Sequence, residues 1–163
     1  MALSKMENLY RAVIVDHYQN PHHHGALDQA TQTIEMLNPT CGDVIFLDLK
    51  IEDDKIIDLA FHGQGCAIST ASTSMMTDLI KGKTLDEALH LAKDFTDMIT
   101  LPELDEDTDY QDQLGEAALL SGVRKFPARV KCATLGWQAL QEGVHHDAQT
   151  IEEDVEVEEG EEE

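Results

Sequence analysis

The chain has 163 residues, which suits one domain with its own hydrophobic core. Its formal net charge of −22 repels phosphate backbones, so we expect no binding to nucleic acid. No apolar run approaches the roughly 20 residues that span a bilayer, and the polar N-terminus lacks a signal-peptide pattern, so we expect no membrane association and a cytoplasmic location.

The first half of the chain predicts a helix followed by a small antiparallel sheet. Apolar residues at helical spacing predict a helix to about Gln19, which Asn20-Pro21 ends. The run His22-His23-His24 follows, and we predict a solvated loop because adjacent loop residues rarely converge on one ion. Three segments rich in strand formers, separated by short polar turns, then predict a meander; they are residues 31–37, 44–51 and 56–62.

The second half predicts helices. Residues 69–81 form one that Gly82 closes, and Thr84-Leu85-Asp86-Glu87 is a capping box that opens the next. The acidic segment 101–112 is predicted to be a loop. A short helix over 113–120 and a final helix that opens at Phe126-Pro127 complete the chain. His17 and His90 are expected on helix surfaces or boundaries.

These elements predict an α+β fold with a small three-stranded antiparallel sheet packed with about five helices. The predicted domain covers residues 1–147. Residues 148–163 are predicted to be a disordered tail, because nine acidic residues and no basic residue lie within 151–163.

The three cysteines, Cys41, Cys66 and Cys132, predict thiol chemistry or packing rather than a disulfide framework. Cys41 and Asp43 stand two residues apart, so an extended backbone points both side chains the same way. Cys66 follows two glycines at the start of a helix, where the macrodipole favours a thiolate. If these residues converge with Cys132, three sulfurs and one carboxylate could hold a metal ion such as zinc.

Ordinary packing is the alternative, because cysteine is often buried and no C-x-x-C pair is present. Arg129 and Lys131 flank Cys132 and could offset the negative charge of a thiolate cluster. A cysteine hydrolase with Cys66 as nucleophile and His62 as base is physically open as well, although no third orienting residue can be named. The residues alone do not choose among these interpretations.

Three motifs carry a family resemblance. They are Asn38-Pro39-Thr40-Cys41-Gly42-Asp43, Gly63-Gln64-Gly65-Cys66-Ala67-Ile68-Ser69 and Arg129-Val130-Lys131-Cys132-Ala133-Thr134-Leu135. In this order they resemble the SufU-type iron–sulfur cluster assembly proteins of the NifU/IscU-like family, over residues 5–143. Lys131 stands where scaffold-type relatives have histidine, and residues 115–127 resemble the extra segment of the SufU type.

The resemblance implies an IscU-like fold and a zinc site formed by Cys41, Asp43, Cys66 and Cys132. It also implies that Cys41 accepts persulfide sulfur from a pyridoxal-phosphate-dependent, SufS-like cysteine desulfurase. The sulfur would pass to a downstream cluster scaffold or to apoproteins. The chain would then be a sulfurtransferase-like partner rather than a stand-alone enzyme. The alternative is a scaffold that assembles a labile [2Fe–2S] cluster on the same ligands, with iron or a transient cluster in place of zinc.

Overall fold

A computed structural model describes residues 5–39, 42–101 and 109–160 of the protein. In chain order its elements are α1 (Lys5–Gln19), β1 (Gln32–Asn38), β2 (Asp43–Glu52), β3 (Lys55–Gln64), α2 (Ala67–Ile80), α3 (Leu85–Thr100), α4 (Tyr110–Leu114), a 3₁₀ helix (Gly115–Lys125) and α5 (Pro127–Gly160). The predicted α+β class is confirmed, with one three-stranded sheet and five α-helices among the described residues. In the same ranges, no helix is both long and apolar enough to cross a bilayer.

The sheet has the strand order β1-β2-β3 and is antiparallel throughout, as the meander prediction required. Asn38 pairs with Asp43, and Val44 pairs with Gln64, so the ends of β1 and β3 lie beside the start of β2. Gly63 permits this close approach, because it has φ 137° and a Cβ there would lie 2.1 Å from the Val44 carbonyl oxygen. One end of the sheet therefore gathers the segments that carry Asp43 and Cys66.

Helix α2 is buried along most of its length and packs against α5. The Ser72 hydroxyl donates to the Ala133 carbonyl at 2.6 Å and accepts the indole N–H of Trp137 at 3.0 Å. Gly136 of α5 faces Thr73 of α2, where a Cβ on the glycine would lie 2.3 Å from Thr73 Oγ1. Small side chains thus bring the two helices close together, and these helices carry the Cys66 and Cys132 ends of the candidate site.

Helix α3 covers the other side of α5. The rings of Phe95 and Trp137 stack with centroids 4.4 Å apart. The predicted capping box is confirmed: Glu87 N–H donates to Thr84 Oγ1 at 3.1 Å, and Thr84 N–H donates to the Glu87 carboxylate at 3.0 Å. The core between helices and sheet contains large side chains that are almost fully buried, among them Leu47, Leu49, Leu59, Met76, Leu120 and Leu140.

The segment between α3 and α5 differs from its prediction. Helix α4 (Tyr110–Leu114) begins within the predicted loop over 101–112 and ends beyond it, and residues 102–108 lie outside the described residues. The short helix predicted over 113–120 is divided: Gln113 and Leu114 end α4, and the remaining residues belong to a 3₁₀ helix, Gly115–Lys125. Its buried residues recur every three positions, at Ala117, Leu120 and Val123. That spacing matches the three residues per turn of a 3₁₀ helix, so one straight face meets the core.

Two other features also differ from expectation. His17, predicted on a helix surface or boundary, lies in the last turn of α1 but is only 2% exposed, because α2 and the 3₁₀ helix cover it. The backbone of α5 is helical to Gly160, whereas disorder was predicted from residue 148. No proline interrupts this segment and glutamate is a good helix former, which accounts for the continued helix. The division into a domain over 1–147 and a tail over 148–163 stays a prediction.

Candidate metal and sulfur site

Three of the four predicted ligands come together at one end of the sheet. Asp43 begins β2, Cys66 precedes α2 and Cys132 lies in the second turn of α5. Their ligand atoms are all within 4.8 Å of one another. Asp43 and Cys132 are buried and Cys66 is half-buried, so the cluster reaches solvent at Cys66. Cys41 lies outside the described residues, and its place as a fourth ligand stays a prediction.

Hydrogen bonds hold the Asp43 carboxylate toward the two sulfurs. Its Oδ1 accepts the backbone N–H of Cys66 at 3.0 Å, and its Oδ2 lies 3.5 Å from Asn38 Nδ2. The same Asn38 amide is 3.9 Å from Cys132 Sγ. Asn38 is 4% exposed, so its donor is committed to the cluster. Asn38 had no predicted role at the site, although its place in the Cys41–Asp43 motif was the available signal.

Cys66 caps the N-terminus of α2. Its backbone is extended, with φ −73° and ψ 173°, and its Sγ accepts the Ser69 N–H at 3.4 Å. This end of a helix carries the positive pole of the macrodipole, which favours a negatively charged sulfur. Gly65 makes room for the turn, because a Cβ there would lie 2.9 Å from Ser69 Oγ and 3.5 Å from Asp43 Oδ1.

Arg129 provides positive charge beside the sulfurs. The charge of Cys66 is the main cause that raises the pKa of Arg129 above its ordinary value, and that of Cys132 is the next. The guanidinium is exposed, so its positive charge lies at the solvent side of the cluster. Lys131 is also exposed on α5, and its share in balancing the site stays a prediction.

The donor set matches the chemistry of a zinc or iron centre. Two sulfurs and one carboxylate are ligands that zinc accepts in a tetrahedron, and thiolates also hold iron–sulfur clusters. Sulfurs bound to one tetrahedral zinc are about 3.8 Å apart, which the 4.8 Å limit on these ligand atoms allows. The buried Ser69 hydroxyl lies beside Gly65, as Asp43 Oδ1 does, and has no hydrogen-bond partner among the described residues. Its O–H could therefore donate a hydrogen bond to a group bound at the site.

The hydrolase interpretation gains no support from His62. Its ring stacks on Phe46 with centroids 5.0 Å apart, and its Nδ1 lies 3.3 Å from the Gly25 carbonyl oxygen. Both contacts commit the imidazole to packing at the edge of the sheet rather than to activation of Cys66.

Known proteins resemble this chain over most of its length. The family model described as NifU-like N terminal domain matches residues 9–133. The "Iron-sulfur cluster assembly scaffold protein IscU" of Streptococcus pyogenes serotype M1 is 53% identical over 148 residues, which cover 91% of this chain and 90% of the relative. The "Zinc-dependent sulfurtransferase SufU" of Bacillus subtilis (strain 168) is 49% identical over 141 residues, or 86% of this chain and 92% of the relative.

A solved structure shares the fold. It is a putative iron–sulfur cluster assembly scaffold protein for the SUF system from Fervidobacterium islandicum AW-1, with 37% identity and a TM-score of 0.72. The match covers 79% of this chain and 91% of that one.

Proposed function

The chain belongs to the family of NifU-like N-terminal domains, whose IscU and SufU members serve iron–sulfur cluster assembly, and we propose that it is a zinc-dependent sulfur acceptor in that process. The observation that carries the proposal is the convergence of Asp43, Cys66 and Cys132 within 4.8 Å at a solvent-accessible edge. The matching family position makes Cys41 the residue that accepts sulfur. The donor is a pyridoxal-phosphate-dependent cysteine desulfurase of the SufS type.

The chemistry is a thiol–persulfide exchange. The Cys41 thiolate attacks the outer sulfur of the desulfurase persulfide, and a new S–S bond forms as the bond to the desulfurase cysteine breaks. That cysteine leaves as a thiolate, so the exchange needs no external oxidant or reductant. Arg129 interacts electrostatically with Cys66 and Cys132, and its positive charge would reduce the repulsion that an incoming persulfide anion meets.

Zinc held by Cys41, Asp43, Cys66 and Cys132 would supply positive charge that keeps the sulfurs deprotonated. The hydrogen bond between the Cys66 N–H and Asp43 Oδ1 fixes the carboxylate's direction. Asn38 does the same from the side of Cys132. These partners orient the ligands before any sulfur arrives, which is the usual task of hydrogen bonds around a metal site.

A desulfurase assay tests the role of Cys41. The full chain is mixed with a SufS-type desulfurase and free cysteine, and alanine release is followed. We expect the wild-type chain to increase alanine release by the desulfurase. Cys41→Ser should reduce alanine release to the level of the desulfurase alone, while the neighbouring Thr40→Ser should keep the increase. Mass spectrometry should find the added sulfur on Cys41 of the wild type. Undiminished alanine release with Cys41→Ser would remove this residue from the mechanism.

The scaffold function is the second candidate, favoured by the name of the Streptococcus relative. Lys131 offers no imidazole ligand next to Cys132, which counts against it. Metal analysis of the aerobically purified protein separates the two functions. Bound zinc without visible absorption supports sulfur acceptance, whereas a coloured protein with acid-labile sulfide supports the scaffold.

A further inference from the structure

A second cluster of metal-ligating side chains lies where α1, the loop after it and α2 meet. His17 from the last turn of α1, His22 from the loop and Asp78 from α2 place their ligand atoms within 4.8 Å of one another. The cluster shares no residue with the cysteine site. We propose that it binds a divalent transition-metal ion such as zinc, independently of the sulfur-acceptor function.

The loop that carries His22 is held in place by hydrogen bonds, while His22 and His24 stay exposed as the predicted solvated loop requires. The His22 backbone N–H donates to Ser74 Oγ at 2.8 Å. Phe61 of β3 donates its N–H to the His23 carbonyl at 3.0 Å and accepts the N–H of Gly25 at 2.8 Å. Because the loop is tied to both α2 and β3, the ligands are already arranged and binding orders little additional chain.

His17 is set up as a buried ligand. Its Nε2 lies 2.8 Å from Glu116 Oε1, and its Nδ1 lies 2.7 Å from Ser74 Oγ. A carboxylate that accepts the N–H of one ring nitrogen leaves the lone pair on the other, which is how metal-bound histidines are held. Ser74 Oγ also receives the His22 N–H, so the Nδ1 of His17 lies on the His22 side. A bound ion would replace the serine contact at that nitrogen.

The other two ligands face solvent and give the ion an entry path. The side chains of His22 and Asp78 are 43% and 42% exposed, and His22 Nδ1 lies 2.5 Å from Asp78 Oδ2. The ion would displace the proton held between them. The charges of Asp78 and Glu116 would balance its two positive charges. Two imidazoles with one carboxylate favour zinc, copper, nickel or cobalt over magnesium and calcium.

Zinc binding to the full-length protein tests the proposal. Wild type and variants are dialysed against buffered zinc, and bound metal is counted by mass spectrometry. We expect His22→Gln and Asp78→Asn each to bind one equivalent less than wild type at a zinc concentration that just saturates it. His24→Gln is the matched control: it lies in the same histidine run, but its ring packs edge-on against Phe61. It should bind as wild type does.

Cobalt separates this site from the cysteine site by its spectrum. Cobalt bound to sulfur gives thiolate-to-metal charge transfer in the near ultraviolet, whereas an imidazole and carboxylate site gives only ligand-field bands. His22→Gln should lose ligand-field intensity and keep the charge transfer. Circular dichroism checks that each variant folds, which is expected because both side chains are exposed. Equal zinc content in wild type, His22→Gln and Asp78→Asn would overturn the proposal, whether or not Cys41 accepts sulfur.

Discussion

Asp43 is a candidate metal ligand, and its carboxylate also forms hydrogen bonds with Cys66 and Asn38. It is 2% exposed, and a buried carboxylate is costly unless its oxygens are paired. The Cys66 N–H satisfies one oxygen, and the Asn38 amide lies near the other. This arrangement leaves the charge of Asp43 available to a cation at the point where the two sulfurs meet.

Asp43→Asn should therefore weaken zinc binding by about 10- to 100-fold while the fold is kept, since the amide has nearly the same size. Competition with a chromophoric chelator measures the affinity. Asp48→Asn is a matched control, because Asp48 is also buried in β2 but accepts hydrogen bonds from Leu27 and Thr33, away from the cysteines. If both variants lost zinc affinity to a similar extent, the cause would be a destabilised strand β2, and Asp43 would not be a ligand.

The crossing of α2 and α5 determines how close Cys66 and Cys132 can be. At the contact, Gly136 faces Thr73 with no room for a methyl group. Gly136→Ala should lower the free energy of unfolding by about 1–3 kcal/mol, as overpacked cores do. It should also weaken zinc binding, because each helix carries one of the sulfurs. Urea unfolding and zinc competition measure the two effects.

Gly122→Ala is the control for Gly136→Ala. A Cβ on Gly122 would have Tyr10 Cε2 as its nearest neighbour, at 3.9 Å, which is an ordinary van der Waals contact. Gly122→Ala should therefore leave stability and zinc affinity close to wild type. If Gly136→Ala were as stable as Gly122→Ala, the contact between α2 and α5 would have room for a methyl group, and the close packing at Gly136 would not be needed for stability.

The capping box of helix α3, far from the candidate site, makes the stability of the protein depend on pH. Hydrogen bonds from Thr84, first from its backbone and then from its side chain, hold the pKa of Glu87 below its ordinary value of 4.5. A lowered folded pKa means that the carboxylate stabilises the fold above that ordinary value, and that this contribution is lost as the pH falls through the folded pKa. Glu87→Gln should destabilise the protein near neutral pH.

The loss should shrink as the pH falls through the lowered pKa of Glu87 and disappear in acid below that pKa, where wild type and variant both have a neutral group at this position. Urea midpoints at the two pH values measure the difference. Asp86→Asn provides the comparison, because Asp86 is an exposed acid in the same first turn that takes no part in the capping box. A Glu87→Gln effect of equal size at both pH values would mean that hydrogen-bond geometry, not charge, provides the cap.

At the scale of the whole molecule, local signals predicted the elements well. The strand-forming segments, the Thr84 capping box and Pro127 at a helix start are each encoded in a few neighbouring residues. The 3₁₀ helix was not predicted, because over 11 residues a spacing of three fits an α-helix as well as a 3₁₀ helix. The burial of His17 was missed because it depends on Glu116 and Ser74, which are distant in sequence.

The candidate site was predictable in a different way. Spacing gave only a weak reason to group Asp43, Cys66 and Cys132, because no two of them are within 20 residues of each other in sequence. Their grouping came from the family resemblance, and the fold explains it physically: the sheet end and the α2–α5 crossing bring the three segments together. Ser69 depends on the same tertiary contacts, so the sequence alone could not assign it, whereas Asn38 stands in the same motif as Cys41 and Asp43.

The net charge of −22 predicts a molecule whose stability depends on salt. Like charges repel more in the compact state than in the unfolded chain, and salt screens this repulsion within a Debye length of about 10 Å at 0.1 M. The thermal unfolding midpoint should therefore rise with added sodium chloride. Deletion of residues 148–163 removes nine of the 33 acidic residues and no basic one, so the rise should be smaller in the shortened chain.

The same deletion tests the predicted domain boundary. The described core of α5 extends to Val144, which is 2% exposed, so the shortened chain should keep the near-ultraviolet signal of the buried Trp137. A full-length variant with those nine acids changed to their amides separates charge from chain length, and it should show the same reduced salt response. If the deletion unfolded the protein while the amide variant stayed folded, the segment beyond residue 147 would be part of the domain.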